Sequence, residues 1–346
     1  MKIATITYSW AQNWGAVLQA YALVEYLNSQ GHSAKLIDYR EFDSKLISTV
    51  KSVPDGIYDL LTLPASIRRV KKYISFRNDY LKLTEKCNTT DELERLNEQY
   101  DAFITGSDQV WNVGHGVNRD FYLQFVRPDK RRISYAASFG VSDIPDMHKA
   151  DTIEGLSNIS YISVREKTGK ELIKKITRQD SAVVLDPVFL ISPNHWEAIM
   201  GSIAEKSPFI FVYPTQISKT LKKCIRRLKK LTGLPAITPF FIEGCKTVKD
   251  IGPLEFITYI KRAEYVVATS FHATAFSVIF EKPLYVVTHS QTGSRTTDLL
   301  EQLGLEDCIL HNENEIGTCR WNYQDKRSII QKKISESKTF LSQALS

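Results

Sequence analysis

Short apolar segments rich in β-branched residues alternate with helical repeats of apolar residues along most of the chain. The first such unit has a predicted strand at 3–8, a helix at 16–27 that Gly31 ends, and a second strand at 34–39. A connection of this length joins two parallel strands by a right-handed crossover. The pattern continues and predicts an open, doubly wound α/β sheet up to about residue 190. The further predicted strands of this half are 100–105, 132–136, 161–164 and 182–185.

A second alternation of strands and helices follows the steps Asp186-Pro187 and Ile191-Ser192-Pro193, which we interpret as a linker because prolines end regular structure. Two doubly wound, Rossmann-like domains in tandem place a ligand in a central cleft, outside the carboxyl ends of their strands. The predicted strands of this half are 208–213, 235–238, 265–268 and 284–287, with helices at 217–231, 253–262 and 273–280. The expected domains are 1–190, 191–325 and a terminal helix at 326–346.

Residues 41–99 interrupt the alternation, and we interpret them as a helical insertion in the first domain. Its predicted helix at 66–83 interleaves basic and aromatic residues, a pattern compatible with peripheral contact at an anionic membrane surface. The alternative is a solvated helix with a packed aromatic stripe, because charged runs commonly face water.

Composition narrows the class of protein. A chain that is 43% hydrophobic and 24% charged is neither disordered nor fibrous, and a net charge of +6 over 346 residues is mild for a nucleic-acid binder. We expect a cytoplasmic protein, since no apolar segment has the length of a membrane span or a signal-peptide core. The 5 cysteines are scattered and no two of the 7 histidines are closely spaced, so we expect reduced thiols and no metal site.

Polar residues follow the predicted strands at four places, which is where parallel sheets bind ligands. The first, Ser9 to Ala16, opens a helix with one glycine, unlike the Gly-x-Gly-x-x-Gly of a dinucleotide fold. Its tryptophans either stack on a sugar or close the core.

The second, Gly106-Ser107-Asp108-Gln109, offers a hydroxyl, a carboxylate and an amide for binding hydroxyl groups, with the carboxylate as a candidate base. The alternative is a turn that caps the next segment.

The third and fourth places carry candidate cations. Arg165, in Ser163-Val164-Arg165-Glu166, either presents its planar fork to a phosphate or carboxylate or pairs with Glu166 or another acid. His272 stands in the first turn of a predicted helix, after Thr269 and Ser270 as N-caps, where helix amides attract an anion and imidazole can transfer a proton. A lone histidine is more commonly structural, but the strand–helix corner favours function. Arg295 is a second candidate cation.

Five motifs in order resemble the polysaccharide pyruvyl transferase family over residues 3 to 305. They are Asn13-Trp14-Gly15-Ala16 with Gln19 to Leu23, Gly106 to Asn112, Ser163 to Glu166, Leu185-Asp186-Pro187 and Ser270 to Thr274, where Ala273 replaces the family's usual glycine. The resemblance implies a transferase with two α/β domains similar to a GT-B-type glycosyltransferase. It also implies phosphoenolpyruvate as the donor, a pyruvate ketal on a sugar as the product, and no cofactor.

Residues and resemblance together give expected roles. The catalytic candidates are His272, Asp108 and Arg165; the donor-binding candidates are Thr269, Ser270, Ala273, Thr274 and Arg295; the acceptor-binding candidates are Asn13, Trp14, Gly15, Gln19, Ser107 and Gln109. The expected partners are phosphoenolpyruvate and a sugar or lipid-linked oligosaccharide, in the cytoplasm or at the inner membrane face. The alternatives are a GT-B-type glycosyltransferase that uses a nucleotide sugar and a non-catalytic protein that binds glycans or a partner.

Overall fold

The structure, a computed structural model, describes residues 1–10, 13–39, 57–114, 116–288, 293–317 and 321–346, with 57–63 as backbone only. These residues form two compact units, each with its own parallel sheet. The first unit takes its residues from Met1–Val53, Asp79–Ile191 and Lys332–Ser346, and the second from Pro54–Asn78 and Ser192–Gln331. Within the described ranges, no helix is long and apolar enough to cross a membrane.

The first unit contains a sheet of seven strands in the order β3-β2-β1-β4-β5-β6-β7, with every pairing parallel. Its central strands are almost completely buried, as expected for a sheet that helices cover on both faces. The strands are β1 Lys2–Ile6, β2 Ser33–Tyr39, β3 Leu83–Cys87, β4 Ala102–Thr105, β5 Arg131–Ala137, β6 Tyr161–Val164 and β7 Ala182–Val183.

The second unit contains a parallel sheet of six strands in the order β10-β9-β8-β11-β12-β13. Aromatic side chains fill the space beside its central strand, where Tyr213 packs edge-on against Phe256 with ring centroids 5.0 Å apart. The strands are β8 Ile210–Tyr213, β9 Ala236–Thr238, β10 Lys246–Thr247, β11 Tyr265–Ala268, β12 Leu284–Val287 and β13 Ile309–Leu310.

Helices alternate with the strands in both units. They are α1 Trp14–Ser29, α2 Ile57–Tyr80, α3 Thr90–Glu94, α4 Asp146–Ser157, α5 Lys167–Thr177, α6 Pro193–Ala198, α7 Lys219–Thr232, α8 Pro253–Arg262, α9 Phe271–Ile279, α10 Gly293–Leu303 and α11 Tyr323–Leu345. The predicted α/β class with two parallel sheets is confirmed. The sequence pattern did not predict β3, β10 and β13, because an edge strand that is short or largely polar lacks the apolar run on which the prediction depends.

Helix α2 lies elsewhere than the sequence predicts. The segment 41–99 was expected to be an insertion in the first domain, but the described part up to Asn78 clusters with the second unit and the rest with the first. Two ion pairs hold α2 there: Arg68 Nε lies 2.9 Å from Asp250 Oδ2, and Lys72 Nζ lies 2.9 Å from Glu255 Oε1. Residues 40–56 lie outside the described residues. Membrane contact through 66–83 stays a prediction.

Helix α11 ends in the first unit, because residues from Lys332 onward cluster there. The Ser337 hydroxyl accepts a hydrogen bond of 2.9 Å from the Leu185 amide, and the Arg131 guanidinium donates to the carbonyl of Ala344 at 3.2 Å. The C-terminal turns therefore complete the core of the unit that the N-terminal residues begin.

Each sheet contains one point where the strand order reverses. In the first sheet this topological switch point lies between β1 and β4, and in the second between β8 and β11. Connections leave the two neighbouring strands in opposite directions there, which opens a crevice beyond their carboxyl ends. We call the segments 7–10, 13–16 and 106–109 the first switch point, and the segments 214–216 and 269–272 the second.

Candidate functional site

Helix α1 begins at the first switch point with a side-chain cap. Asn13 is exposed, and its Oδ1 accepts hydrogen bonds from the amides of Gly15 at 3.0 Å and Ala16 at 3.3 Å. An N-cap of this kind satisfies the first donors of a helix. Trp14 and Gly15 are buried, so of these expected acceptor contacts only Asn13 presents its side chain at the surface.

Gln19 fastens helix α1 to the loop after β4. Its Nε2 donates to Thr7 Oγ1 and to the carbonyl of Ala16, both at 3.0 Å, and its Oε1 accepts from the Ser107 amide at 3.0 Å. The side chain is fully buried. Both ends of the amide are thus occupied inside the protein, which corrects the expectation that Gln19 contacts an acceptor.

A buried ionic network lies behind the first switch point. Asp186 Oδ2 accepts hydrogen bonds from Ser107 Oγ at 3.0 Å and from Arg165 Nη1 at 2.9 Å. The Arg165 guanidinium also lies 3.8 Å from carboxylate oxygens of Asp108 and Glu166. Burial lowers the pKa of Arg165, but the carboxylates of Asp186, Glu166 and Asp108 outweigh burial, so its pKa is raised and the guanidinium stays charged.

The network corrects the predicted roles of two residues. Arg165 was a candidate clamp for a donor anion, but its side chain is 1% exposed and pairs internally, as the alternative interpretation expected. The steps Asp186-Pro187 and Ile191-Ser192-Pro193 were interpreted as a linker, and the two units do divide between Ile191 and Ser192. Asp186 itself, however, is fully buried, and its Oδ1 accepts from the Val188 amide at the start of a 3₁₀ turn. An aspartate directly before a proline, after a strand, indicates that the aspartate caps a turn. The local sequence does not indicate that the same carboxylate pairs with Arg165, 21 residues away.

Asp108 is the most exposed of the three acids around Arg165, with a side chain that is 13% exposed. Its φ of 65° lies in the left-handed region, which aspartate tolerates better than most residues. The loop 106–109 is tightly packed. A Cβ added to Gly106 would lie 2.4 Å from the Tyr135 carbonyl oxygen, and a Cβ added to Gly140 would lie 2.1 Å from Gln109 Oε1. This carboxylate can therefore accept a hydrogen bond or a proton from a ligand hydroxyl.

The second switch point is built by hydrogen bonds between two strand ends. Thr269 Oγ1 accepts from the amides of Thr215 at 2.7 Å and Gln216 at 3.2 Å, and Thr215 Oγ1 donates to the Thr269 carbonyl at 3.2 Å. Thr269 is buried while Thr215 is exposed. Thr215 was not among the predicted site residues, although it follows a predicted strand and meets the same criterion as Thr269.

His272 is the second residue of α9, and Ser270 occupies the N-cap position, as the sequence predicts. The imidazole is 7% exposed and its ring centroid lies 5.2 Å from that of Phe271. The first turn of a helix carries a positive partial charge and directs its amides outward, which suits an anion. Ala273 and Thr274 are fully buried, and the Thr274 amide and hydroxyl both donate to the Ser270 carbonyl, at 3.1 Å and 3.0 Å. Contact of these two residues with a donor stays a prediction.

Arg295 lies in the first turn of α10, and it is half-buried. The strand before this helix, β12, pairs with β11, and β11 precedes the helix α9 that carries His272. The candidate residues thus form two groups, one per unit. Direct contacts join Gln19, Ser107, Asp108 and Arg165 in the first unit.

Comparison with known proteins gives a family and a fold. The sequence model of a family described as polysaccharide pyruvyl transferase matches residues 13–291. A search of curated proteins finds no significant match. Among solved structures, UDP-GlcNAc 2-epimerase from Neisseria meningitidis bound to UDP-GlcNAc has a TM-score of 0.54 and 12% identity, over 100% of this chain and 99% of that chain.

Two further structures have the same fold. The putative UDP-N-acetylglucosamine 2-epimerase from Listeria monocytogenes has a TM-score of 0.51 and 10% identity, over 96% of this chain and 90% of that chain. AviGT4, a glycosyltransferase involved in avilamycin A biosynthesis, has a TM-score of 0.51 and 10% identity, over 99% and 97%. Identities this low show likeness of fold alone, and they confirm the predicted GT-B-like fold class.

Proposed function

The chain belongs to the polysaccharide pyruvyl transferase family, and we propose that it transfers the enolpyruvyl group of phosphoenolpyruvate to hydroxyl groups of a sugar to form a pyruvate ketal. The observation that carries this proposal is the corner between β11 and α9. It sets a histidine in the first turn of a helix, at the second switch point, where an anion-binding helix end and a proton-transfer group coincide.

The reaction requires an acid, a base and stabilisation of an anion. Protonation of the methylene carbon of phosphoenolpyruvate leaves a cationic C2, which a sugar hydroxyl attacks as it loses its proton. Phosphate then departs, and a second hydroxyl of the sugar closes the ketal and releases its proton to the phosphate. The overall change converts phosphoenolpyruvate and a diol into the ketal and inorganic phosphate, which balances atoms and charge.

The second unit supplies the groups for the donor in this proposal. His272 protonates the methylene carbon, since imidazole is the side chain whose ordinary pKa suits proton transfer near neutral pH. The first turn of α9, with Ser270 at its N-cap, and the Arg295 guanidinium receive the carboxylate and phosphate. Thr269 fixes the loop after β8 and shapes the site without binding the donor itself.

The first unit supplies the groups for the acceptor. Asp108 accepts the hydroxyl proton, and Asn13 and Gln109 bind neighbouring hydroxyls. Gln109 is half-buried, and its Oε1 accepts a hydrogen bond of 2.7 Å from Asn112 Nδ2, which orients its amide group. Gln19, Ser107, Arg165 and Asp186 hold the Asp108 loop in place through the contacts given above. Sugar or polysaccharide acceptors agree with the family, and a lipid-linked acceptor is one form they take.

Replacing Asp108 by asparagine is expected to lower kcat for sugar transfer by about 10²-fold and to leave phosphoenolpyruvate affinity within about twofold. The amide keeps the size of the side chain but cannot accept a proton. Removing one of three negative charges around Arg165 leaves that guanidinium paired with Asp186, so the fold should persist. Calorimetry with the donor and a rate assay with a competent acceptor measure the two quantities.

The exposed Asp143, which pairs with Lys175 on the surface at 3.1 Å, gives a matched control. Asp143→Asn should change neither quantity. A tenfold loss of donor affinity in Asp108→Asn would place this carboxylate beside the donor and contradict the division of roles between the units.

The function itself is tested by ligand stabilisation and by product. Phosphoenolpyruvate at 100 times its Kd should stabilise the protein by about 2.7 kcal/mol, and UDP-GlcNAc should not. With an oligosaccharide acceptor, phosphate release should accompany a mass gain that corresponds to a pyruvate ketal. Stabilisation by UDP-GlcNAc alone, with transfer of its sugar, would instead favour the glycosyltransferase alternative.

A further inference from the structure

Two neighbouring faces of helix α2 each carry a basic residue near the second unit's sheet. Arg68 and Lys72 form the ion pairs with Asp250 and Glu255 that hold the helix to the second unit. Arg69 and Tyr73 lie one position further along and are four residues apart, so they share a second face. The first face therefore anchors the helix and orients the second.

The second face lies near the carboxyl end of β8, because Arg69 and Tyr73 are both within electrostatic range of Tyr213, the last residue of that strand. The Tyr213 ring packs on Phe256, and the chain then continues through Pro214 to Thr215, whose amide bonds to Thr269. Helix α2 thus brings a guanidinium and a phenol to the second switch point.

Two polar atoms of this face are buried and have no hydrogen-bond partner among the described residues. They are the hydroxyl of Tyr73, a residue that is 8% exposed, and Nε of the half-buried Arg69. Buried polar atoms in native proteins are nearly always paired, so each exception calls for an explanation. Burial also raises the pKa of Tyr73 well above its usual value, which keeps its hydroxyl protonated and able to donate.

We propose that Arg69 and Tyr73 bind a phosphate or carboxylate oxygen of the ligand at the second switch point. The planar fork of an arginine matches either group, and the phenol adds a donor. An anion would give both buried donors the acceptor that they lack. The choice of phosphoenolpyruvate as the ligand rests on the proposed function. The anion site itself rests on the two buried donors of helix α2, Arg69 Nε and the Tyr73 hydroxyl. The described part of helix α2 from Arg69 to Tyr73 is then part of the donor site.

Two substitutions and one control test the site by calorimetry on the full-length protein, with phosphoenolpyruvate, UDP and inorganic phosphate as probes. Arg69→Gln should raise the Kd of phosphoenolpyruvate about tenfold or more, since a charged hydrogen bond is lost. Tyr73→Phe should raise it about fivefold and leave the unfolding midpoint unchanged or higher, because the hydroxyl has no partner in the protein. Arg68→Gln, on the anchoring face of the same helix, should stay within about twofold.

The outcomes separate this inference from the proposed function. If phosphoenolpyruvate binds the unaltered protein and Arg69→Gln equally well, the inference is wrong and the proposed function stands. If UDP binds instead and Arg69→Gln weakens UDP, the anion site stands and the proposed donor is wrong. Binding of none of the three probes overturns both. A Tyr73→Phe variant that loses stability but keeps its affinity would show that the hydroxyl has a structural role and would overturn its part in the site.

Discussion

Replacing His272 by alanine is expected to lower the rate of pyruvyl transfer by about 10²–10⁴-fold, the usual cost of losing an acid–base group. Its imidazole sits in the first turn of α9 beside the proposed donor-binding amides. The fold should persist, because truncation removes one ring in the first turn of a helix and leaves the strands of the sheet unchanged. Phosphate release with a competent acceptor measures kcat, and circular dichroism and the unfolding midpoint report on the fold.

The exposed His311 is a matched control in the same unit. His311→Ala should retain full activity. His272→Asn, which keeps a polar side chain but cannot transfer a proton at neutral pH, should be as inactive as His272→Ala. Added imidazole should restore part of the rate of His272→Ala, where the ring has left space for it. Turnover close to that of the unaltered protein in either His272 variant would remove this residue from the mechanism.

Replacing Arg165 by methionine is expected to lower the free energy of unfolding by about 3–5 kcal/mol, because Asp186 and Glu166 would remain buried without the guanidinium. Urea denaturation measures the change. The double variant Arg165→Met with Asp186→Asn should recover part of the loss, since the uncompensated charge at Asp186 is then removed.

An exposed ion pair provides the comparison for this substitution. Arg119 Nη2 lies 3.3 Å from Asp151 Oδ1 with both side chains exposed, so Arg119→Met should cost less than about 1 kcal/mol. A similarly small cost for Arg165→Met, combined with a loss of phosphoenolpyruvate affinity, would restore the ligand-clamp role that the sequence suggested and contradict the structural role assigned here.

Continuous apolar segments that alternate with amphipathic helices made the architecture predictable. The strand predicted at 265–268 coincides with β11, because Tyr265–Ala268 is a continuous apolar run between polar turns. The edge strands β10 and β13 are two residues long, and their place in the sheet depends on the neighbour rather than on their own sequence. Hydrophobic periodicity could not reveal that helix α2 would attach to the second unit, since the partners of Arg68 and Lys72 lie about 180 residues away.

The positions of the candidate residues were predictable, but their environments were not. Strand ends carry Ser107, Asp108, Arg165 and His272, and the rule that ligands bind at such ends selected all four. Burial then decides what each can do: Arg165 is enclosed by acids, whereas the Asp108 carboxylate reaches the surface. The hydrogen bond between Gln19 and Ser107 spans 88 residues, a separation over which a local pattern contains no information about contact.

The two units are not consecutive in the chain, and this affects how the protein is made. Leu341 and Ala344 of α11 are buried in the first unit, although that unit begins at the N-terminus. The residues of β1 to β7 are synthesised first, whereas the last turns of α11, which pack in the same unit, are synthesised only after the second sheet. Folding cannot follow the order of translation strictly, as it does where each domain is a continuous stretch of chain. During synthesis, the part of the first unit that packs against Leu341 and Ala344 therefore stays uncovered until these residues have been made.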